Sequence, residues 1–211
     1  MNIVLYGASG MMGSRIRDEA LARGHQVRAV VRNPNAIPTL PNLSAVRGDV
    51  TDAQSIAETA RGSDIAISAF QAAPPYTDFS KVAHALLTGL VEAGVPRVIV
   101  VGGAASLEVA PGIRLIDSPE FPEAYRAISL EHMKDLEIWQ RSNEPRLTWT
   151  FFSPAYETAP GERTGSFRLG TDQLMTDATG TSRISAEDYA VALLDEVEKP
   201  NHPNRRFTIG Y

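Results

Sequence analysis

Three glycines, Gly7, Gly10 and Gly13, stand three residues apart, directly after the apolar run Ile3-Val4-Leu5 and before a helix-like pattern. Glycine at such a junction does one kind of chemistry well: it lets backbone N–H groups come close to an anion. In the loop Gly7-Ala8-Ser9-Gly10-Met11-Met12-Gly13, Gly7 permits a tight turn and Gly10 lets the main chain approach a pyrophosphate with no Cβ in the way. Gly13 lets the next helix pack close to the strand. The start of that helix then offers unpaired N–H groups and a positive dipole end to phosphates. Three ordinary turn glycines would be spelled the same way, so the dinucleotide reading rests on a strand before them and a helix after.

The rest of a dinucleotide's path can be followed along the chain. The second apolar run ends in Val31-Arg32. A carboxylate there would hold a ribose 2′-hydroxyl and favour NAD, whereas an arginine accommodates a 2′-phosphate. No Asp or Glu follows Arg32 until Asp49, so NADP is expected, with NAD as the second choice and Arg15 or Asn33 as helpers. Asp49 and Val50 close the third run, where a carboxylate can hold an adenine edge and an aliphatic side chain can cover it; a turn with a helix-entry charge would look the same. Ala69, Phe70 and Gln71 belong to SAFQAAPP (68–75), whose small residues suit a place where ribose and nicotinamide cross the strand ends.

These groups need a scaffold, and the hydrophobic pattern supplies one. Runs at 2–6, 27–31, 44–47, 64–69, 97–102, 147–153 and 206–210 are rich in Val and Ile and bounded by Gly and Pro, as in strands buried on both faces of a parallel sheet. Helical patterns lie between them. The first ends at Gly24, and the next starts at a capping-box spacing of Thr51 and Gln54 and stops at Gly62. Others run from about 79 to Gly94, over about 121–142, and from a Ser185–Asp188 box to Pro200. The alternation predicts an α/β fold with a doubly wound parallel sheet, the Rossmann fold, in one domain over 1–211. Residues 155–183 break the alternation and read as a loop-rich cover on the substrate side.

Composition narrows the function. Hydrophobic content of 43% and charged content of 21% are ordinary for a globular chain of 211 residues. The net charge is −5 and no basic run occurs, so no nucleic-acid or anionic-membrane partner is expected. Cysteine is absent, which excludes disulfides and thiolate chemistry, and the four histidines show no metal-ligand spacing. No signal peptide or membrane span is expected, so the chain reads as a cytoplasmic protein, a monomer or homodimer.

GASGMMGSRI, VRNP, GDVTD, VVGGAASL, SPAYETAPGERTGSFRLG and SRISAEDYAVALLDE together resemble the atypical short-chain dehydrogenases/reductases, in the NmrA-like branch of NAD(P)H-binding proteins and NADH-flavin reductases. The resemblance covers the whole chain. It implies a reductase that passes a hydride from NAD(P)H to a flavin, quinone or similar small acceptor, with flavin as substrate and not a tightly bound group. It places Gly102, Gly103, Pro154 and Ala155 around the nicotinamide. Ordinary short-chain enzymes pair a Tyr with a Lys four residues on. Here Tyr125 has Ser129 at that distance, and Lys134 has Leu130 where its Tyr would be. The missing pair argues against ketone chemistry and fits an acceptor that stabilises its own charge. Candidates near the chemistry are Ser106, Tyr156 and Lys134, with Ser106 equally readable as a loop serine. His132 reads as a solvated helix residue, Trp139 and Trp149 as core aromatics, and Asp188 as a structural charge. Two other readings stay open: a redox sensor that binds NADP without turnover, and an epimerase- or dehydratase-like enzyme.

Overall fold

The computed structural model describes residues 1–74, 76 and 78–211. Its first half alternates strand and helix, except that β2 passes to β3 through one short 3-10 turn (Pro34–Ala36): β1 (Asn2–Tyr6), α1 (Met11–Ala22), β2 (Gln26–Val31), β3 (Leu43–Arg47), α2 (Ala53–Ala60), β4 (Ile65–Ser68), α3 (Phe79–Ala93) and β5 (Arg97–Val101). A small antiparallel pair follows, β6 (Glu108–Ala110) and β7 (Ile113–Arg114). Then come α4 (Glu123–Arg141), β8 (Thr148–Ser153), β9 (Glu157–Ala159), β10 (Arg168–Gly170), β11 (Arg183–Ser185), α5 (Ala186–Glu198) and β12 (Arg205–Gly210).

Eight strands form one sheet in the order β10-β12-β8-β5-β4-β1-β2-β3, parallel throughout except for β10 against β12. The order reverses between β1 and β4, and in open sheets of this kind ligands bind beyond the carboxyl ends of the strands at that reversal. Successive side chains of each strand enter opposite layers. Ile3, Leu5, Ile67, Phe152 and Phe207 pack under α1 and α5, while Val4, Tyr6, Val100, Trp149 and Phe151 pack under α2, α3 and α4. In the first layer Phe152 is sandwiched between Tyr189 and Phe207, at ring-centre distances of 4.1 and 3.9 Å.

Two sequence expectations change. Thr51 does not cap α2: the cap is Asp52, whose carboxylate accepts the Gln54 N–H, while the Thr51 N–H and hydroxyl are drawn to Asp49 Oδ1 at 2.8 and 2.7 Å. The stretch 155–183 is less irregular than it reads, because β9 pairs in parallel with β11 and β10 joins the main sheet. Strands of three residues carry too little alternation to register as a period. The Ser185 cap on α5 forms as expected, its Oγ accepting the Asp188 N–H at 2.9 Å. Among the described residues no helix is long and apolar enough to cross a membrane.

Candidate functional site

The glycine loop is shaped by two close approaches. Gly7 has φ +79°, and a Cβ there would lie 2.3 Å from the carbonyl oxygen of Ala69. A Cβ on Gly13 would lie 2.1 Å from the carbonyl oxygen of Gly7. Both contacts are with backbone, so neither side can yield, and the loop is pressed against the end of β4 on one side and α1 on the other. Gly10 differs. Its φ of −74° suits any residue, and the nearest atom to a Cβ would be Gly7 O at an ordinary 3.4 Å. Nothing in the protein requires glycine there, while the side facing out of the loop is open. Gly10 is also the N-cap of α1 and, having no side chain, leaves the first N–H groups of the helix free of a side-chain cap. An uncapped helix start beside an open glycine fits a pyrophosphate. Ala8 and Gly13 are buried, Ser9 and Met11 exposed, and Met12 leans on the core.

Arg32 leaves the end of β2 into solvent and belongs to no ion pair among the described residues. It lies near enough to Asp49 to help hold that carboxyl below its ordinary range, although the larger causes are the two bonds from Thr51, and Lys81 also contributes. Asp49, Val50, Arg32 and Lys81 therefore gather at one corner of the sheet. The two helpers considered for Arg32 are engaged elsewhere. Arg15 Nε pairs with Glu187 at 3.1 Å, and Asn33 accepts the N–H of Asn35 at 3.2 Å.

At the ends of β4, β5 and β8 the remaining candidates converge. Ala69 is buried, Phe70 half-buried and Gln71 exposed; of SAFQAAPP, Pro75 lies outside the described residues. Gly102 is buried against the Phe151 ring, where a Cβ would come within 2.0 Å. Gly103 faces His132, whose Cβ and Cγ would both be 3.1 Å from a Cβ on the glycine. Pro154 is half-buried, Ala155 buried, and Tyr156 stands 41% exposed beyond them, its N–H donating to Ser182 Oγ.

His132 is the residue that the sequence reading misplaced. Its ring lies 4.1 Å from Phe79, which in turn meets Phe70 edge-on at 5.5 Å. Its Nδ1 is buried with no hydrogen-bond partner among the described residues, and burial lowers the imidazole pKa to about 4. The ring of this neutral histidine stands beside Gly103. The signal was there to read: positions 132, 136 and 139 are spaced as one buried stripe of α4, the stripe that Leu136 and Trp139 occupy. One turn on, Asp135 accepts the Trp139 indole N–H at 2.9 Å, and burial raises its carboxyl pKa to about 7.

Lys134 and Tyr125 are not brought to this place. Two residues from His132 along a helix is a rotation of about 200°, so Lys134 points outward. It is 60% exposed and paired with Glu131 at 2.6 Å, and Tyr125 is 58% exposed. Ser106, beyond the end of β5, is half-buried, and its Oγ accepts a hydrogen bond from Arg206 Nη1 at 2.8 Å.

The stretch after β8 is clamped along α1 and α5. Asp188, fully buried, accepts Thr164 Oγ1 at 2.5 Å, the Gly165 N–H at 2.7 Å and the Tyr211 hydroxyl at 2.9 Å. Glu187 takes the Gly161 N–H, and Arg163 forms a two-pronged pair with Glu19. Residues 161–166 therefore run beside α1, leaving 154–157 as the part nearest the strand ends.

A family model described as NAD(P)H-binding matches residues 7–199. A crystal structure of a protein from Burkholderia pseudomallei, described as a candidate exported protein, is 46% identical, with a TM-score of 0.90 and all of both chains covered. A Bacteroides thetaiotaomicron protein described as a candidate epimerase is 44% identical, with a TM-score of 0.93 over 100% of this chain and 96% of that one. A Streptococcus pneumoniae protein described as a candidate NADH-flavin reductase is 33% identical, with a TM-score of 0.88 over 100% of this chain and 99% of that one.

Proposed function

This chain belongs to the NAD(P)H-binding family, and on that premise we propose that it is a reductase of a small conjugated acceptor, a flavin or a quinone. The observation that carries the reading is the rim of α4. Both residues that could have formed an acid pair, Tyr125 and Lys134, face solvent, and the group that faces Gly103 is a histidine kept neutral by burial. A site with no strong acid suits an acceptor whose own ring system spreads the incoming charge. The name of the Streptococcus relative agrees with this class. The epimerase name of the Bacteroides relative finds no Tyr–Lys pair here to match it.

The parts divide the work as follows. The loop from Gly7 to Gly13 and the uncapped start of α1 hold the pyrophosphate. Arg32 meets a 2′-phosphate, which selects NADPH over NADH, and Asp49 with Val50 flanks the adenine. Ala69, Phe70 and Gln71, with Gly102, Gly103, Pro154 and Ala155, border the ribose and nicotinamide. When bound, the reduced nicotinamide supplies a hydride; the residues around it orient the two rings and keep water out. Ser106 and Tyr156 lie on the acceptor side, where each can donate a hydroxyl hydrogen bond. We place the reaction in the cytoplasm, which cell fractionation would check against the export label of the Burkholderia relative.

The test is direct. Purified protein is mixed with NADPH or NADH and with riboflavin or menadione, without oxygen, and loss of the reduced nicotinamide is followed by absorbance. Steady consumption with NADPH as the better donor is expected. Tight NADPH binding by calorimetry with no consumption in the presence of either acceptor would replace the reductase with a sensor.

A further inference from the structure

Arg206 does something unusual for a strand residue. It starts from β12, crosses the position of β8, and ends on the loop that follows β5, a hundred residues away in sequence. Its side chain is only 8% exposed. Nε donates to Asp172 Oδ1 at 3.1 Å, Nη2 shares that oxygen, and Nη1 donates to Ser106 Oγ at 2.8 Å. Asp172 is itself 58% exposed, so it anchors the guanidinium from the solvent side and needs no burial of its own.

The direction of the third bond matters. A guanidinium has donors and no acceptor, so the Ser106 hydroxyl hydrogen cannot point at Arg206. One lone pair of Oγ is committed to a charge-assisted bond, and the hydrogen is left for another acceptor. Ser106 makes no other side-chain hydrogen bond among the described residues. The surroundings repeat the theme. Thr208, two residues along β12 and therefore on the same face as Arg206, sits in register with Ser153 of β8. Both hydroxyls are fully buried and have no partner among the described residues. Beneath Ser106 the sheet thus presents a cation and two hydroxyls.

We propose that Arg206 is a positioning residue that aims the Ser106 hydroxyl hydrogen at the carbonyl oxygen of the acceptor. This rests on the reductase reading above. As the hydride adds to the acceptor, negative charge grows on that oxygen; Ser106 donates a hydrogen bond to it, and the proton that completes reduction comes from solvent. Arg206 itself touches neither substrate nor cofactor. A guanidinium donating into Oγ strengthens the hydroxyl as a donor by polarising it along the chain of bonds.

A double-mutant cycle tests the link, with riboflavin and menadione as acceptors. Ser106→Ala and Arg206→Met should each lower kcat about tenfold or more, the worth of one hydrogen bond to a charged group, with the NADPH dissociation constant unchanged. In the Ser106→Ala background, Arg206→Met should add less than about twofold, because its effect passes through the missing hydroxyl. The affinity of riboflavin for the NADP-loaded protein, read by fluorescence quenching, should follow the same non-additive pattern. Asp172→Asn changes only a surface group and keeps the test alive if Arg206→Met does not fold; it should give a partial loss of kcat that Ser106→Ala abolishes. Additive losses, an unchanged kcat in Asp172→Asn and Arg206→Met, or a parallel fall in NADPH affinity would overturn the inference while leaving the reductase standing. Wild-type protein that consumes NADPH with neither acceptor would overturn the reductase reading and the inference together.

Discussion

Replacing Asp135 with Asn should stabilise this protein, and increasingly so as the solution becomes alkaline. Asp135 is 5% exposed on the inner face of α4, where the Trp139 indole N–H donates to it and no other donor reaches it among the described residues. Burial disfavours the carboxylate and lifts the pKa from 3.8 to about 7. The unfolded chain ionises near the lower value and the folded chain near the higher. Stability from this site is therefore complete below the unfolded pKa, falls as pH rises between the two, and stays low above about 7. Three pKa units correspond to roughly 4 kcal/mol, of which about 3 kcal/mol is lost between pH 5 and pH 8.5. Asparagine carries no charge, and its Oδ1 can still accept the indole N–H. The advantage of Asp135→Asn over wild type should thus grow by about 3 kcal/mol across that interval, on the order of 10 °C in Tm for a chain of this size. His132, whose pKa burial lowers, has the opposite pH dependence at its own site, contributing most at neutral pH and least in acid. It is present in both proteins and cancels in the difference. Urea melts of the two proteins at pH 5, 7 and 8.5 give the curve. Parallel pH profiles would refute the reasoning, because they would mean that the carboxyl titrates alike in the folded and unfolded chains.

Gly10→Val should fold as wild type yet lose dinucleotide binding in calorimetry, since the protein leaves room for a side chain where the phosphates should lie; normal NADPH binding would move the site. Gly7→Ala should fail differently, with a lowered Tm, because both its positive φ and the carbonyl of Ala69 oppose a Cβ. Arg32→Ala should remove most of a roughly tenfold to hundredfold preference for NADPH, the worth of one charge-assisted bond, and leave NADH binding almost unchanged; equal wild-type dissociation constants for the two cofactors would sink the assignment. Asp188→Ala leaves three donors without their acceptor, so residues 161–166 should come away from α5 and trypsin should cut after Arg163; resistance equal to wild type would show that the clamp holds by other means.

Much of the sheet was legible because β1, β2, β4, β5, β8 and β12 are buried on both faces, which writes them as near-continuous apolar runs. The glycines were legible because steric exclusion is local: Gly7 and Gly13 meet backbone only a few residues away or one strand over. What stayed hidden depends on partners far along the chain. Nothing near Arg15 announces Glu187, and nothing near Ser106 announces Arg206, since each bond spans at least a hundred residues. The pairing of β9 with β11 is hidden for the same reason, compounded by strands too short for a period. His132 is a different case. Its position on the buried stripe was written in the spacing, but histidine in a helix so rich in charged residues reads as polar until the packing against Phe79 and Gly103 is seen.

β10 closes one end of the sheet. A strand buried on both faces, as β12 is, would otherwise present its outer row of N–H and C=O groups to any passing chain, and long apolar edges of that kind are templates for aggregation. Three residues, Arg168 to Gly170, occupy that row in the antiparallel sense. They are too few to recruit a further strand, and they begin with a charged side chain. At the opposite margin β3 is half to fully exposed and ends on Arg47. Both borders are thus short or charged, so a sheet of eight strands can stay a private structure and does not become the first layer of a fibre.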